Sequence, residues 1–190
     1  MIPNAATRRV AALFFFAALA AAPAAWCWEL QGQRSIRLHP RDGTAVDIGK
    51  VEFRPAGDRI AFAIKFDHAP FKDYFLSMRE FKCLEGATEI QCHVPYPYRN
   101  PGTVTAGDLS WLEHSLMFLF KSPRDYGAKL WNGLYYKMQI TDQGIVGLPQ
   151  AIDLNYIGAP PSDFTTPPYG PAERSDIPAG ARWFGRLTIE

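Results

Sequence analysis

Alternating apolar residues constrain the fold of this chain more than any other feature. Residues 59–67, RIAFAIKFD, place Ile60, Phe62, Ile64 and Phe66 on one face. A period of two over nine residues is typical of a β-strand with one buried face. Shorter alternating segments are residues 35–39, 47–54, 134–141 and 183–190. The pattern predicts a chain built mainly from strands.

The spacing of turn sequences predicts antiparallel pairing. Proline and glycine indicate turns at residues 40–43 and 55–58, and residues 142–144 make a tight turn. We expect an all-β, mainly antiparallel fold of eight or nine strands with one short helix, arranged as a small barrel or sandwich. The barrel is favoured because residues 183–190 alternate up to the last residue and would dock beside an early strand, which removes exposed edges.

Four segments carry more specific expectations. A change of apolar face near Arg79 predicts a strand through residues 74–83 with a one-residue bulge. A threonine three residues before Asp108 resembles a helix capping box. Residues 115–121 are apolar on both faces, which fits a strand or a short buried helix, with the strand favoured. The proline-rich residues 158–180 indicate an extended surface crossing.

The cysteines predict a stapled hairpin within residues 71–100. Cys83 and Cys92 flank a turn-like segment, and placing them opposite each other also pairs apolar neighbours across the strands. A metal site that uses His93 beside Cys92 is the rival interpretation, but it lacks a second ligand pair at zinc-like spacing. A disulfide is favoured, and no metal site is predicted.

The N-terminal sequence predicts export. Arg8 and Arg9 precede an uncharged apolar run, residues 10–22, that is too short for a membrane span. We expect a signal peptide at residues 1–24, a single β-rich domain at residues 25–190 and a periplasmic or secreted location, with no transmembrane span after cleavage. A later cleavage would remove Cys27, so its fate stays open. Export to an oxidising compartment favours the disulfide.

Charge and motifs exclude several function classes. Removing residues 1–24 takes the formal net charge from +1 to −1, and this near-neutral chain does not favour nucleic acid as a partner. Nucleophile motifs, metal-ligand spacings and a glycine-rich phosphate loop are missing from the sequence. We therefore predict no catalytic residue and no cofactor.

Aromatic residues near strand ends are the better indication of function. Tyr96, Trp131 and Tyr136 could line the mouth of a small barrel that takes one apolar ligand, and Arg79 could supply charge for its head group. The alternative is that the aromatic residues fill the core and cover its ends.

The segments FLSMREFKCLEG, CHVPYPYRN and LWNGLYYKM resemble stretches of a family of exported proteins of Gram-negative bacteria. The resemblance covers about residues 45–155 and the last strand, implies a periplasmic location and transfers no catalytic residue. Similarity to lipocalin-like barrels is one of architecture only.

Three functions are therefore open. The first is a periplasmic domain that binds a small apolar ligand or an envelope partner. The second is a structural envelope factor that acts through protein contacts. The third is an enzyme without a recognisable motif, which would use His93, Asp125 or Arg79.

Overall fold

The structure is a computed structural model, and it describes residues 28–190. The predicted signal peptide, residues 1–24, and Cys27 lie outside the described residues. The domain predicted for residues 25–190 is thus described from Trp28 onward.

Strands make up most of the regular structure in the described residues. Nine strands have four or more residues and three have only two, so the predicted all-β class is confirmed. The strands are β1 (Gly32–Pro40), β2 (Val46–Ala56), β3 (Arg59–Phe66), β4 (Lys72–Asp73), β5 (Lys82–Glu85), β6 (Ile90–His93), β7 (Thr103–Val104), β8 (Phe118–Lys121), β9 (Gly133–Thr141), β10 (Gly144–Ile152), β11 (Ser175–Asp176) and β12 (Phe184–Ile189). The helices are α1 (Ser110–Ser115) and two 3₁₀ helices, Leu154–Ile157 and Pro171–Glu173.

All twelve strands of the described residues belong to one sheet, and every pairing among them is antiparallel. The order is β4-β5-β6-β8-β9-β10-β12-β1-β2-β3-β7, with β11 attached to β10. The last strand, β12, lies between β1 and β10, where Leu187 is opposite Leu38 on one side and Gly147 on the other. The prediction that the C-terminal strand docks beside an early strand is confirmed.

The sheet is barrel-like but is not closed. Where closure would occur, β3 meets residues 95–102, which follow β6 and contain three prolines. Phe62 donates its N–H to the Gly102 carbonyl at 2.8 Å, and β7 pairs with only two residues of β3. Among the described residues, no strand pairs with residues 63–66 on this side, and the prolines have no N–H to donate to the β3 carbonyls, so residues 63–66 form an open edge. We call them the open edge of β3.

The stapled hairpin forms as predicted. Cys83 lies opposite Cys92 in the β5–β6 pair, and the two residues form a disulfide. The strand predicted through residues 74–83 is wrong in its first part, because the chain leaves the sheet after Asp73. A turn closed by the Phe81 N–H and the Met78 carbonyl, 3.0 Å apart, replaces the predicted bulge.

Two further local predictions needed correction. The helix α1 begins at Ser110, and Thr105 does not cap it, because Thr105 and Asp108 bond to each other through their backbones. The Asp108 carboxylate accepts the Ser110 N–H instead. Residues 115–121 divide between the end of α1 and strand β8, so the favoured strand covers only their second half.

Buried side chains lie on both faces of β8 and β9. Phe118 and Tyr136 belong to a large cluster enclosed by the curled sheet. Tyr135 belongs to a smaller cluster on the other face, with the disulfide and Tyr169. Tyr169 lies in the proline-rich residues 158–180 and is only 2% exposed. This segment is therefore a cover for the second cluster as well as a surface crossing.

Candidate functional site

An apolar hollow of about 510 Å³ lies at one end of the curled sheet. Four separate parts of the chain supply its walls. Residues 28–31 precede β1, Pro55 and Ile60 belong to the β2–β3 hairpin, Ala106 follows β7, and Ile140 lies near the end of β9. We call this hollow the Trp28 pocket.

Packing holds the N-terminal wall of the Trp28 pocket in place. The rings of Trp28 and Phe53 meet edge to face, with centroids 6.3 Å apart and an interplanar angle of 87°, which is a preferred aromatic geometry. Leu30 is buried in the large cluster, and Ile60 and Ile140 pack against that cluster while remaining partly exposed. The large core cluster thus continues into the walls of the pocket.

Arg34 lies on the inward face of β1, beside this wall. It is opposite Val51 on β2 and in phase with Ile36 and Leu38, whose side chains are fully buried. The guanidinium carbon of Arg34 lies 5.3 Å from the centre of the Trp28 ring, within the range of a cation–π contact. The Arg34 Nε is buried and has no hydrogen-bond partner among residues 28–190.

The four site residues chosen from the sequence lie in different environments. Arg79 is exposed in a turn, Trp131 is 64% exposed, Tyr96 is half-buried and Tyr136 is fully buried. No hydrogen bond or ring contact between residues 28 and 190 joins any two of them. Their role in ligand binding stays a prediction.

Tyr136 uses its hydroxyl inside the core. It donates to the Phe184 carbonyl at 2.8 Å and accepts from Gln91 Nε2 at 2.9 Å. Burial raises the pKa of Tyr136 above the ordinary tyrosine value. This satisfied hydroxyl joins β6, β9 and β12, as the core-filling alternative for the aromatic residues requires.

Tyr96 borders a second hollow, of about 230 Å³, beside the open edge of β3. Phe66 and His93 line the same hollow, and the centres of those two rings are 4.2 Å apart. The Tyr96 hydroxyl is buried and lacks a hydrogen-bond partner in the part of the chain that the structure describes. Tyr96 thus lines a hollow that is separate from the Trp28 pocket.

Helix α1 carries two buried polar side chains that are fully bonded. Glu113 accepts hydrogen bonds from the Tyr135 hydroxyl, from Lys137 Nζ at 3.1 Å and from the Met138 N–H at 2.7 Å. Burial raises the pKa of Tyr135 most, and the negative charge of Glu113 raises it further. Since each partner is satisfied, this arrangement fastens α1 to β9.

His114 is held as a neutral ring. Its Nδ1 donates to the Ser110 carbonyl at 2.6 Å and its Nε2 accepts the Tyr169 N–H at 3.1 Å. These two bonds require the proton on Nδ1. Burial lowers the pKa of His114 to about 4. Both ring nitrogens are already engaged, so the ring has a positioning role between α1 and the proline-rich cover.

The residues named for the enzyme hypothesis have unrelated partners. Burial lowers the pKa of His93 to about 4, and its Nε2 bonds to the Ser115 carbonyl at 3.0 Å. Asp125 pairs with Lys129 at 3.3 Å in the loop between β8 and β9. The structure does not bring these two and the exposed Arg79 together through any contact among residues 28–190.

Comparison of the chain with known proteins finds no relative. No family model, no curated protein and no solved structure matches it. Among residues 28–190, no three histidine, cysteine or acidic side chains are grouped as metal ligands. In the same range no helix has the length and apolar character needed to cross a membrane.

Sequence reasoning missed the Trp28 pocket, although part of its signal was present. The alternation of residues 59–67 and 134–141 places Ile60 and Ile140 on apolar strand faces. Arg34 directly precedes the alternating residues 35–39 and is in phase with Ile36, so extending that strand by one residue would have placed it inside. The contribution of Ala106 had no signal, because it depends on how distant segments meet.

Proposed function

We propose that this chain is an exported, periplasmic protein that binds one small apolar ligand in the Trp28 pocket. The pocket itself supports the proposal. Its volume of about 510 Å³ lies within the range of roughly 300–1,000 Å³ typical of ligand sites. Its walls are mostly apolar, and Ala106 and Pro55 at the rim are exposed, so a ligand can reach it from solvent.

Export is supported by two independent features. The N-terminal sequence has the charged start and the short apolar run of a signal peptide. The disulfide between Cys83 and Cys92 is typical of oxidising compartments such as the periplasm, since cytosolic thiols are kept reduced.

Pocket occlusion tests the proposed function. Ala106→Trp adds bulk from an exposed wall position, so it should fill the Trp28 pocket without disturbing the buried core. We expect it to weaken binding of the uncharged probe N-phenyl-1-naphthylamine by about tenfold, the change that about 1.4 kcal/mol produces. Fluorescence titration of the protein purified from periplasm measures this.

Ala159→Trp is the matched control, because Ala159 is an exposed residue of the proline-rich segment and does not line the pocket. Binding to the control should equal that of the wild type. The proposed function is wrong if the wild type does not bind the probe, or if both tryptophan variants bind it as the wild type does. Native mass spectrometry of the same preparation would reveal a ligand that co-purifies.

A structural envelope factor is the second candidate. Tyr126 and Trp131 are 102% and 64% exposed within one loop between β8 and β9, and aromatic side chains are enriched at protein interfaces. This candidate is favoured if a partner protein co-purifies with the wild type and with Ala106→Trp but is lost when both loop residues become serine.

A further inference from the structure

A half-buried arginine, Arg34, lies next to the apolar walls of the Trp28 pocket. Trp28 lines the pocket, and the guanidinium carbon of Arg34 is 5.3 Å from the centre of the same ring. Arg34 reaches this position because β1 directs its side chain inward, opposite the fully buried Val51. Trp28 therefore lines the apolar hollow and also contacts the positively charged Arg34.

The charge on Arg34 has no counterion in the part of the chain that the structure describes. None of the ion pairs there involves Arg34, and its buried Nε makes no hydrogen bond. Two other arginines, on β1 and β2, do have acidic partners. Arg37 pairs with Asp47 and Glu190, and Arg54 pairs with Glu52 at 2.8 Å.

An unmatched guanidinium beside an apolar pocket favours an anionic head group. Leaving a buried donor unpartnered is unfavourable, and a ligand oxygen would remove that penalty. The planar fork of arginine suits a carboxylate, which it can bind through two parallel hydrogen bonds. The pocket contributes one acidic residue, Glu29, which is exposed to solvent and is therefore screened.

We infer that the ligand of the Trp28 pocket is a single-chain amphiphile with a carboxylate head group, whose hydrocarbon chain fills the pocket and whose head group pairs with Arg34. This inference rests on the proposed function, because it presumes that the pocket takes a ligand. The proposed function requires only the apolar chain. The inference adds a carboxylate at the end of that chain.

Three ligands that share one hydrocarbon chain test the inference. They are dodecanoate, dodecan-1-ol and dodecylammonium, each used to displace N-phenyl-1-naphthylamine from the disulfide-bonded protein purified from periplasm. The wild type should bind dodecanoate at least about tenfold more tightly than dodecan-1-ol, because a charge-assisted pair is worth about 1.5–3 kcal/mol. Dodecylammonium should bind most weakly.

Arg34→Gln should remove the preference for dodecanoate while keeping the affinity for dodecan-1-ol. Arg54→Gln, at an exposed arginine paired with Glu52, should keep the preference of the wild type. If the wild type binds dodecanoate and dodecan-1-ol equally, the inference is wrong and the proposed function stands. If none of the three displaces the probe, the proposed function fails as well. The comparison among ligands on the wild type decides the inference even where Arg34→Gln folds poorly.

Discussion

Burial determines what the polar residues of this protein do. Glu113 and His114 are fully buried on a helix of six residues, and each of their polar atoms has a partner. A buried polar group without a partner is costly, whereas a satisfied network is rigid. Arg34 differs from both because its buried Nε has no hydrogen bond to any described residue. That difference separates a candidate binding residue from residues that position the fold.

The two buried histidines should make the stability of the protein sensitive to acid. Burial lowers the pKa of His93 and of His114 to about 4 in the folded state, whereas an unfolded histidine titrates near 6.5. Between these values the unfolded state binds more protons, so stability is full above about pH 6.5 and falls as the pH is lowered towards 4. We expect a loss on the order of 1 kcal/mol for each of the two histidines between pH 7.0 and pH 5.5.

Urea unfolding followed by tryptophan fluorescence at those two pH values measures the loss. Most carboxylates remain ionised over this window, so the histidines dominate the change. Histidine ring signals in NMR spectra provide the direct check, since the signals of His93 and His114 should keep the shifts of the neutral ring throughout the window. Equal stability at pH 7.0 and pH 5.5, or titration of both rings near 6.5, would contradict the expectation.

At the scale of elements, short strands depend on help from outside their own ladder. Strands β5 and β6 have four residues each, and a hairpin of this size has marginal stability alone. The disulfide joins the two strands at the opposed pair Cys83 and Cys92, both fully buried in the smaller core cluster. The staple and the core contacts together hold the hairpin.

Replacing both cysteines should destabilise the protein. Cys83→Ser combined with Cys92→Ser removes the constraint on a short loop of the unfolded chain, and we expect a loss of about 2–3 kcal/mol in the free energy of unfolding. Urea denaturation of the oxidised wild type and of the double variant measures it. Wild type treated with a reducing agent is the control for the buried hydroxyls of serine, and it should also lose stability. Equal values for oxidised and reduced wild type would show that the staple contributes nothing.

At the scale of the whole molecule, the sheet encloses a core without closing on itself. Closure is interrupted where β3 meets the proline-containing residues 95–102. The Phe62 N–H donates to the Gly102 carbonyl there. Strand alternation directs the Ile64 and Phe66 N–H groups to the same side of β3. These two amides have no backbone acceptor among residues 28–190. The interruption thus leaves one short stretch of unpaired strand edge.

Hydrogen exchange should distinguish the two sides of β3. The amides of Ala63 and Lys65 point towards β2, opposite Glu52 and Lys50, and should be protected. The amides of Ile64 and Phe66 should exchange at least about tenfold faster, because an amide without a partner exchanges through the most local opening. Two-dimensional NMR spectra recorded after transfer to D₂O measure the rates. Equal protection on both sides would show that another segment covers the open edge of β3 in solution.

Local pattern predicted much of the fold. The alternation located the long strands and their inward faces, and the opposed cysteines followed from the spacing around one turn. The failures occurred where the local signal was ambiguous. Residues 74–81 are rich in apolar side chains, yet they form a turn whose Phe75 covers the smaller core cluster. A strand and a packed loop can share the same local pattern of apolar residues. Only tertiary contacts distinguish the two structures.

The candidate site shows the same division more sharply. Aromatic type selected Trp131 and Tyr136 together, yet one is 64% exposed and the other is fully buried, because such side chains serve surfaces and cores alike. The sequence by itself determined the strands and the disulfide-linked hairpin, since these follow from local periodicity and turn chemistry. Only the tertiary structure decided that the sheet stays open and that Trp28, Ala106 and Ile140 enclose one pocket beside Arg34. Contacts between distant segments depend on long-range register and curvature, which no local pattern encodes.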